Sequence, residues 1–115
     1  MRVRSESADG GAPKGAYVVS VSGEVDLYSA PDLLAELRGL AAGGAKHLIV
    51  DVTGTSFIDS TGLGVLIAAT KILRLKGGEL HLVGTHGATE RAVYAAGLHT
   101  FFKLYRSVDD AVEKI

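Results

Sequence analysis

The chain has 115 residues, 47% of them hydrophobic and 22% charged, with a net charge of -1 when histidine is neutral. That length and balance fit one compact domain with a real core, and they argue against disorder and against nucleic acid or an anionic membrane as a direct partner. With no cysteine there is no disulfide, thiolate metal site or cysteine nucleophile, which fits a reducing compartment.

In chain order, Val3 to Glu6 reads as a short edge strand, followed by a Gly-rich turn over Asp9–Gly15. Tyr17 to Ser22 is rich in β-branched residues and reads as a second strand in a hairpin with the first. Gly23-Glu24-Val25-Asp26 leads out. Ser29 is a favoured helix cap with Asp32 three residues on, and Leu33, Leu34, Leu37 and Leu40 recur at helical spacing until Gly43-Gly44. His47 to Val52 is a continuous apolar run, the pattern of a buried parallel strand.

A polar connection is expected next, then a second helix from about Thr61 to Lys76, closed by Gly77-Gly78. Leu80 to Val83 follows as a strand, Thr89 to Ala96 as a helix stopped by Gly97, Phe101 to Tyr105 as a short strand, and Val108 to Ile115 as a last helix. The order ββαβαβαβα predicts an α/β fold, a mixed and mostly parallel sheet with right-handed crossovers, in one domain spanning residues 1–115. The charged Met1–Glu6 lacks the apolar stretch of a signal peptide, and the longest apolar run, Gly62 to Ala69, falls well short of the roughly 20 residues that span a bilayer. A soluble cytoplasmic protein is expected.

The second helix is apolar on two sides. Leu63, Leu66, Ile67, Thr70 and Leu73 share one face; Val65, Ala68, Ala69, Ile72 and Leu75 share the other. Such a helix is either buried on both sides or offers one side to a partner, and periodicity alone leaves the two open.

Several chemistries find no motif. Gly62-x-Gly64 lacks the third glycine of a dinucleotide fingerprint, no Gly-Lys-Ser/Thr string marks a P-loop, and no nucleophile elbow is present. His47, His81, His86 and His99 contain no i, i+4 pair and read as strand and loop residues, not ligands or bases. Asp51, at the end of a buried strand, reads as a residue that bonds nearby amides. Lys71, Arg74 and Lys76 form a basic helix end that suits the macrodipole. No metal, cofactor or catalytic residue is expected.

The informative stretch is Ser56-Phe57-Ile58-Asp59-Ser60-Thr61-Gly62-Leu63-Gly64-Val65-Leu66, which joins a buried strand to a helix. Loops at the carboxyl ends of strands are where sites lie in open α/β sheets. Ser60 is expected at the helix cap, its hydroxyl facing the free N–H groups of the first turn. Gly62 and Gly64 each cost about 1 kcal/mol relative to alanine in a helix. Their presence points to another backbone coming close or to an adjustment of the turn.

The string Asp59-Ser60-Thr61-Gly62-Leu63-Gly64 after a buried strand resembles the phosphorylation-site motif of STAS domains, specifically the bacterial anti-sigma factor antagonists. Ser22-Gly23-Glu24-Val25-Asp26, Leu48 to Val52, Ala96-Gly97-Leu98 and Phe102 to Ala111 resemble further parts of that family in order. The similarity runs from about Tyr17 to Ile115; residues 1–15 match weakly.

The resemblance implies that Ser60 is the phosphoacceptor. It also implies that Asp26, Asp59, Ser60, Thr61, Gly62, Val65, Ala69 and Ile72 form the surface that meets an anti-sigma factor serine kinase. The unphosphorylated protein would bind that kinase and the phosphorylated one release it, with a phosphoserine phosphatase resetting the switch. No enzymatic activity of its own is implied, and a monomer or weak dimer is expected. The other function it leaves open is a STAS scaffold or accessory subunit of a lipid or anion transport system.

Overall fold

The computed structural model describes residues 1–115. The elements are β1 (Arg2–Ser7), β2 (Ala16–Val25), α1 (Ala30–Ala42), β3 (His47–Ile58), α2 (Ser60–Leu75), β4 (Glu79–Val83), α3 (Gly87–Ala95), a 3-10 turn (Leu98–Thr100), β5 (Lys103–Tyr105) and α4 (Val108–Lys114). The five strands form one sheet in the order β1-β2-β3-β4-β5. β1 runs antiparallel to β2, and every other neighbouring pair is parallel. This is the expected ββαβαβαβα order, with the 3-10 turn added before β5. No helix is long and apolar enough to cross a membrane.

Alternation along the strands sorts the core into two layers. Val19, Val21, Leu48, Val50, Leu80 and Leu82 pack with Leu33 and Leu37 of α1, Leu63, Leu66 and Leu73 of α2, and Val93 of α3. On the opposite face Val18, Ile49 and Val83 pack with Ala111 of α4. Three helices therefore cover one face, and a single two-turn helix covers part of the other.

The central strand is longer than its apolar run. The expected polar connection after Val52 is instead strand, because Gly54, Thr55, Phe57 and Ile58 stay paired with Ser22, Gly23, Glu24 and Val25 of β2. On its other side β3 outruns β4, which pairs only as far as Asp51. The free carbonyls are met by side chains near α3: His86 Nε2–H donates to Thr53 O at 2.8 Å and the Thr89 hydroxyl to Thr55 O at 3.4 Å. Thr89 and Thr55 are buried although polar because each hydroxyl has a carbonyl partner, Thr55 O for Thr89 and Val21 O at 3.1 Å for Thr55, and this pairing holds the end of β3. It also carries β2 and β3 out to the same level, where both end beside the site.

The structure resolves the two-sided helix. α1 packs along α2, and Val65 and Ala69 are only 7% and 3% exposed. This corrects the assignment of Val65 and Ala69 to a partner surface: that part of the second apolar face is core, while Leu75 at its far end is exposed. Gly62 is buried as well, and Ile72 is half-buried against the core. The exposed stripe of α2 is narrower and runs along Ser60, Gly64, Lys71 and Leu75.

The histidines are indeed on strands, loops and a short turn, but two of them meet. His47 Nδ1 lies 3.2 Å from His81 Nε2, while the buried His81 Nδ1 has no hydrogen-bond partner. Burial first, and the neighbouring His47 second, push His81 down to about 4. The folded protein therefore refuses a proton that the unfolded chain accepts below the ordinary histidine value of about 6.5. Stability is full above that pH and falls as pH drops toward 4, by on the order of 2 kcal/mol from this residue. Urea unfolding at pH 7 and pH 4.5 should show the loss, and His81→Gln should flatten it.

Candidate functional site

Both candidate acidic residues act first on the backbone. Asp59 is the N-cap of α2, with extended dihedrals, φ -95° and ψ -177°. Its Oδ1 accepts the Gly62 N–H at 3.0 Å, and its Oδ2 accepts the Leu27 N–H at 3.1 Å. One carboxylate thus caps the helix and ties down the loop after β2. Ser60 is therefore not the cap, as the sequence suggested; it is the first helical residue. Serine and aspartate cap equally well, and the one standing at the end of the Val25–Ile58 pair takes the position, held by the Asp59 N–H donating to Val25 O at 3.1 Å.

Asp26 closes the other loop. Its Oδ1 accepts the N–H groups of Tyr28 and Ser29, each at 3.0 Å, and faces the Ser29 hydroxyl at 3.1 Å. The Ser29 backbone donor, foremost, holds the Asp26 carboxyl below the usual aspartate range. Ser29 stands at the cap of α1 as expected, yet its side chain makes no helix-capping bond. Its oxygen instead accepts the Asp26 N–H at 2.9 Å. The result is a tight turn that presents Leu27 and Tyr28 outward, 62% and 88% exposed. These two residues carried no signal in the sequence, since nothing local marks an apolar residue as exposed.

Ser60 is exposed, and its hydroxyl makes no hydrogen bond within the chain. As the first helical residue it has a backbone N–H without an intrahelical partner, as has Thr61, while Asp59 occupies the third at Gly62. Thr61 is half-buried. Asp26, Asp59, Ser60 and Thr61 are thus brought to one end of the sheet.

The two glycines of the motif differ. A Cβ on Gly62 would lie 2.6 Å from Ile58 Cγ1 and 2.8 Å from Val25 Cγ1, so the fold itself demands glycine there. A Cβ on Gly64 would meet nothing. Gly64 weakens the helix by about 1 kcal/mol with no return from internal packing.

No cluster of three or more acidic or histidine side chains is arranged to hold a metal. The geometry defines a small α/β domain that displays a serine hydroxyl at a helix start, between a tethered apolar loop and a bare stretch of helix. The chain belongs to the STAS domain family, whose model matches residues 11–111.

Among its relatives is an anti-sigma-B factor antagonist of Staphylococcus aureus, 33% identical over 82 residues, which are 71% of this chain and 76% of that one. A crystal structure of an anti-sigma factor antagonist from Mycobacterium paratuberculosis superposes with a TM-score of 0.83 at 32% identity, covering 99% of this chain and 94% of that one. The Bacillus cell fate determinant SpoIIAA in its phosphorylated form shares the fold, with a TM-score of 0.74 at 18% identity and 98% of both chains covered.

Proposed function

We propose that this protein is an anti-sigma factor antagonist that binds an anti-sigma factor serine kinase while Ser60 is unmodified and leaves it once Ser60 is phosphorylated. The observation that carries the reading is the Ser60 hydroxyl, exposed and unbonded at the mouth of α2, directly after the capping Asp59. The names of the Staphylococcus and Mycobacterium relatives support the role, and the phosphorylated SpoIIAA supports the chemistry on this fold.

The modification is compatible with the folded domain. A phosphate adds about -1.5 to -2 charges near neutral pH. The free N–H groups of Ser60 and Thr61 and the positive end of the helix dipole receive it. The partner supplies nucleotide, metal and base, so the antagonist needs no catalytic group of its own. A phosphoserine phosphatase restores the binding form. The protein acts in the cytoplasm as a monomer or weak dimer.

The docking surface consists of Ser60, Thr61, the exposed α2 stripe, and the Asp26–Ser29 loop with Leu27 and Tyr28. Asp26 and Asp59 shape that surface through the backbone. Ile72 lies at its margin.

Gly64 is where the partner's backbone comes closest. Gly64→Ala is therefore expected to stabilise the isolated domain by up to about 1 kcal/mol and to weaken the partner complex at least several-fold. Thermal unfolding and calorimetric titration read the two effects separately, and a stabilised variant with unchanged affinity removes Gly64 from the interface.

The site assignment is tested by incubating the protein with its partner kinase and ATP and locating the phosphate by mass spectrometry. One phosphate on Ser60, absent in Ser60→Ala, is expected. Phosphate on Ser56 or Thr61 instead overturns the assignment.

A further inference from the structure

The face of the sheet that carries α4 is only half covered. Parallel strands ordinarily have both faces packed, and α4 meets Val18, Ile49 and Val83. Further along the same strands the side chains become small and polar. Ser20 pairs in register with Arg4 on one side and Asp51 on the other; Ser22 pairs with Arg2 and Gly54. Alternation puts Arg2, Arg4, Ser20 and Ser22 on one face, and a bulge in β3 between Asp51 and Gly54 brings both of those residues to the same side. All six line a depression of about 280 Å³. Its floor is two serines and a glycine, and one wall is two arginines.

Neither arginine is spent inside the protein. The one ion pair of the chain is Arg74–Glu79, on the other side of the molecule's core. Asp51 is committed differently: its Oδ1 accepts the Thr53 N–H at 3.0 Å and the Thr53 hydroxyl at 2.6 Å. Gly54 keeps the floor open, because a Cβ there would sit 2.9 Å from Ser22 Cβ.

We infer that this depression binds a small oxyanion, a phosphate, sulfate or compact carboxylate group, gripped by the Arg2 and Arg4 guanidinium groups and the Ser20 and Ser22 hydroxyls. The arginines stand two residues apart on one strand, about 7 Å, which lets both forks close on one tetrahedral or planar oxyanion. The next hollow along the sheet shares Ser20 and Asp51 but is lined by Glu6, Asp9 and Asp109. Those carboxylates repel an anion that extends past the arginine pair, so the ligand is small. A charged edge strand that only discourages edge-to-edge pairing predicts no saturable binding here. The site is independent of Ser60, which opens a helix on the opposite face of the sheet.

The test is an amide NMR titration with inorganic phosphate, and separately with malonate, at constant ionic strength. The expected result is a saturating shift of the Ser20, Ser22 and Gly54 amides with one site per chain. Arg4→Gln should weaken binding at least tenfold. Asp51→Asn, which keeps an oxygen for Thr53 and removes the opposing charge, should tighten it several-fold. Arg38→Gln, an exposed arginine on α1, should change nothing. Saturation with phosphate alone assigns the site to phosphate groups, and with malonate alone to carboxylates. Shifts that never saturate, survive Arg4→Gln or weaken in Asp51→Asn overturn the inference.

Discussion

Val65→Asp is expected to remove most of the folding stability of this domain. Val65 is nearly fully buried where α2 meets α1. The substitution deletes a packed branched side chain, at about 1 to 3 kcal/mol, and places a carboxylate where no cation waits. A buried unpaired charge adds several kcal/mol more. Set against a total of about 5 to 15 kcal/mol for a domain, the sum leaves little. Lys71→Asp, on the exposed stripe of the same helix, should shift the urea midpoint only slightly. If Val65→Asp unfolds like the wild type, the face is a free surface and the packing of α1 on α2 is misread.

Phosphorylation of Ser60 is expected to lower affinity for the kinase by a factor of roughly 30 to 1000, about 2 to 4 kcal/mol. A site that transfers a phosphoryl group holds nucleotide phosphates and a carboxylate base within reach of the acceptor oxygen. Once the group has moved, it faces those charges with water excluded. Two unit charges about 6 Å apart at an effective dielectric of about 20 repel by about 3 kcal/mol. The stability of the domain itself should move far less, since the helix end has N–H groups to spare. Ser60→Asp should reproduce only part of the loss, because one carboxylate carries less charge and fewer oxygens than phosphate.

The order of elements was legible because each carries its own period: β-branched runs for β2 and β3, leucines at helical spacing for α1, glycine stops behind the helices. The motif around Ser60 was legible as a string. What stayed hidden was decided by distant residues.

Thr53 to Ser56 reads as a polar loop and is strand, since β2, far earlier in the chain, pairs with it on one side and His86 and Thr89, far later, take free carbonyls on the other. The second apolar face of α2 reads equally as core or docking surface until α1 is seen lying on it. Asp59 and Ser60 are equally good caps in isolation, and the register of β2 against β3 chooses between them. His47 and His81 are 34 residues apart and meet only because β3 and β4 are neighbours. Leu27 and Tyr28 are turned outward by the local Asp26–Ser29 bonds, and the loop is fixed beside Ser60 by a long-range bond, Leu27 N–H to Asp59, that no local pattern announces.

The most direct test of the switch is a calorimetric titration of the partner kinase, in the presence of ADP, with the protein purified in both forms. The unmodified form and Ser60→Ala should bind with the same affinity, and the form carrying phosphate on Ser60 should bind at least thirtyfold more weakly. Equal affinity of the modified and unmodified forms would contradict the account and leave a STAS scaffold whose contacts do not depend on Ser60.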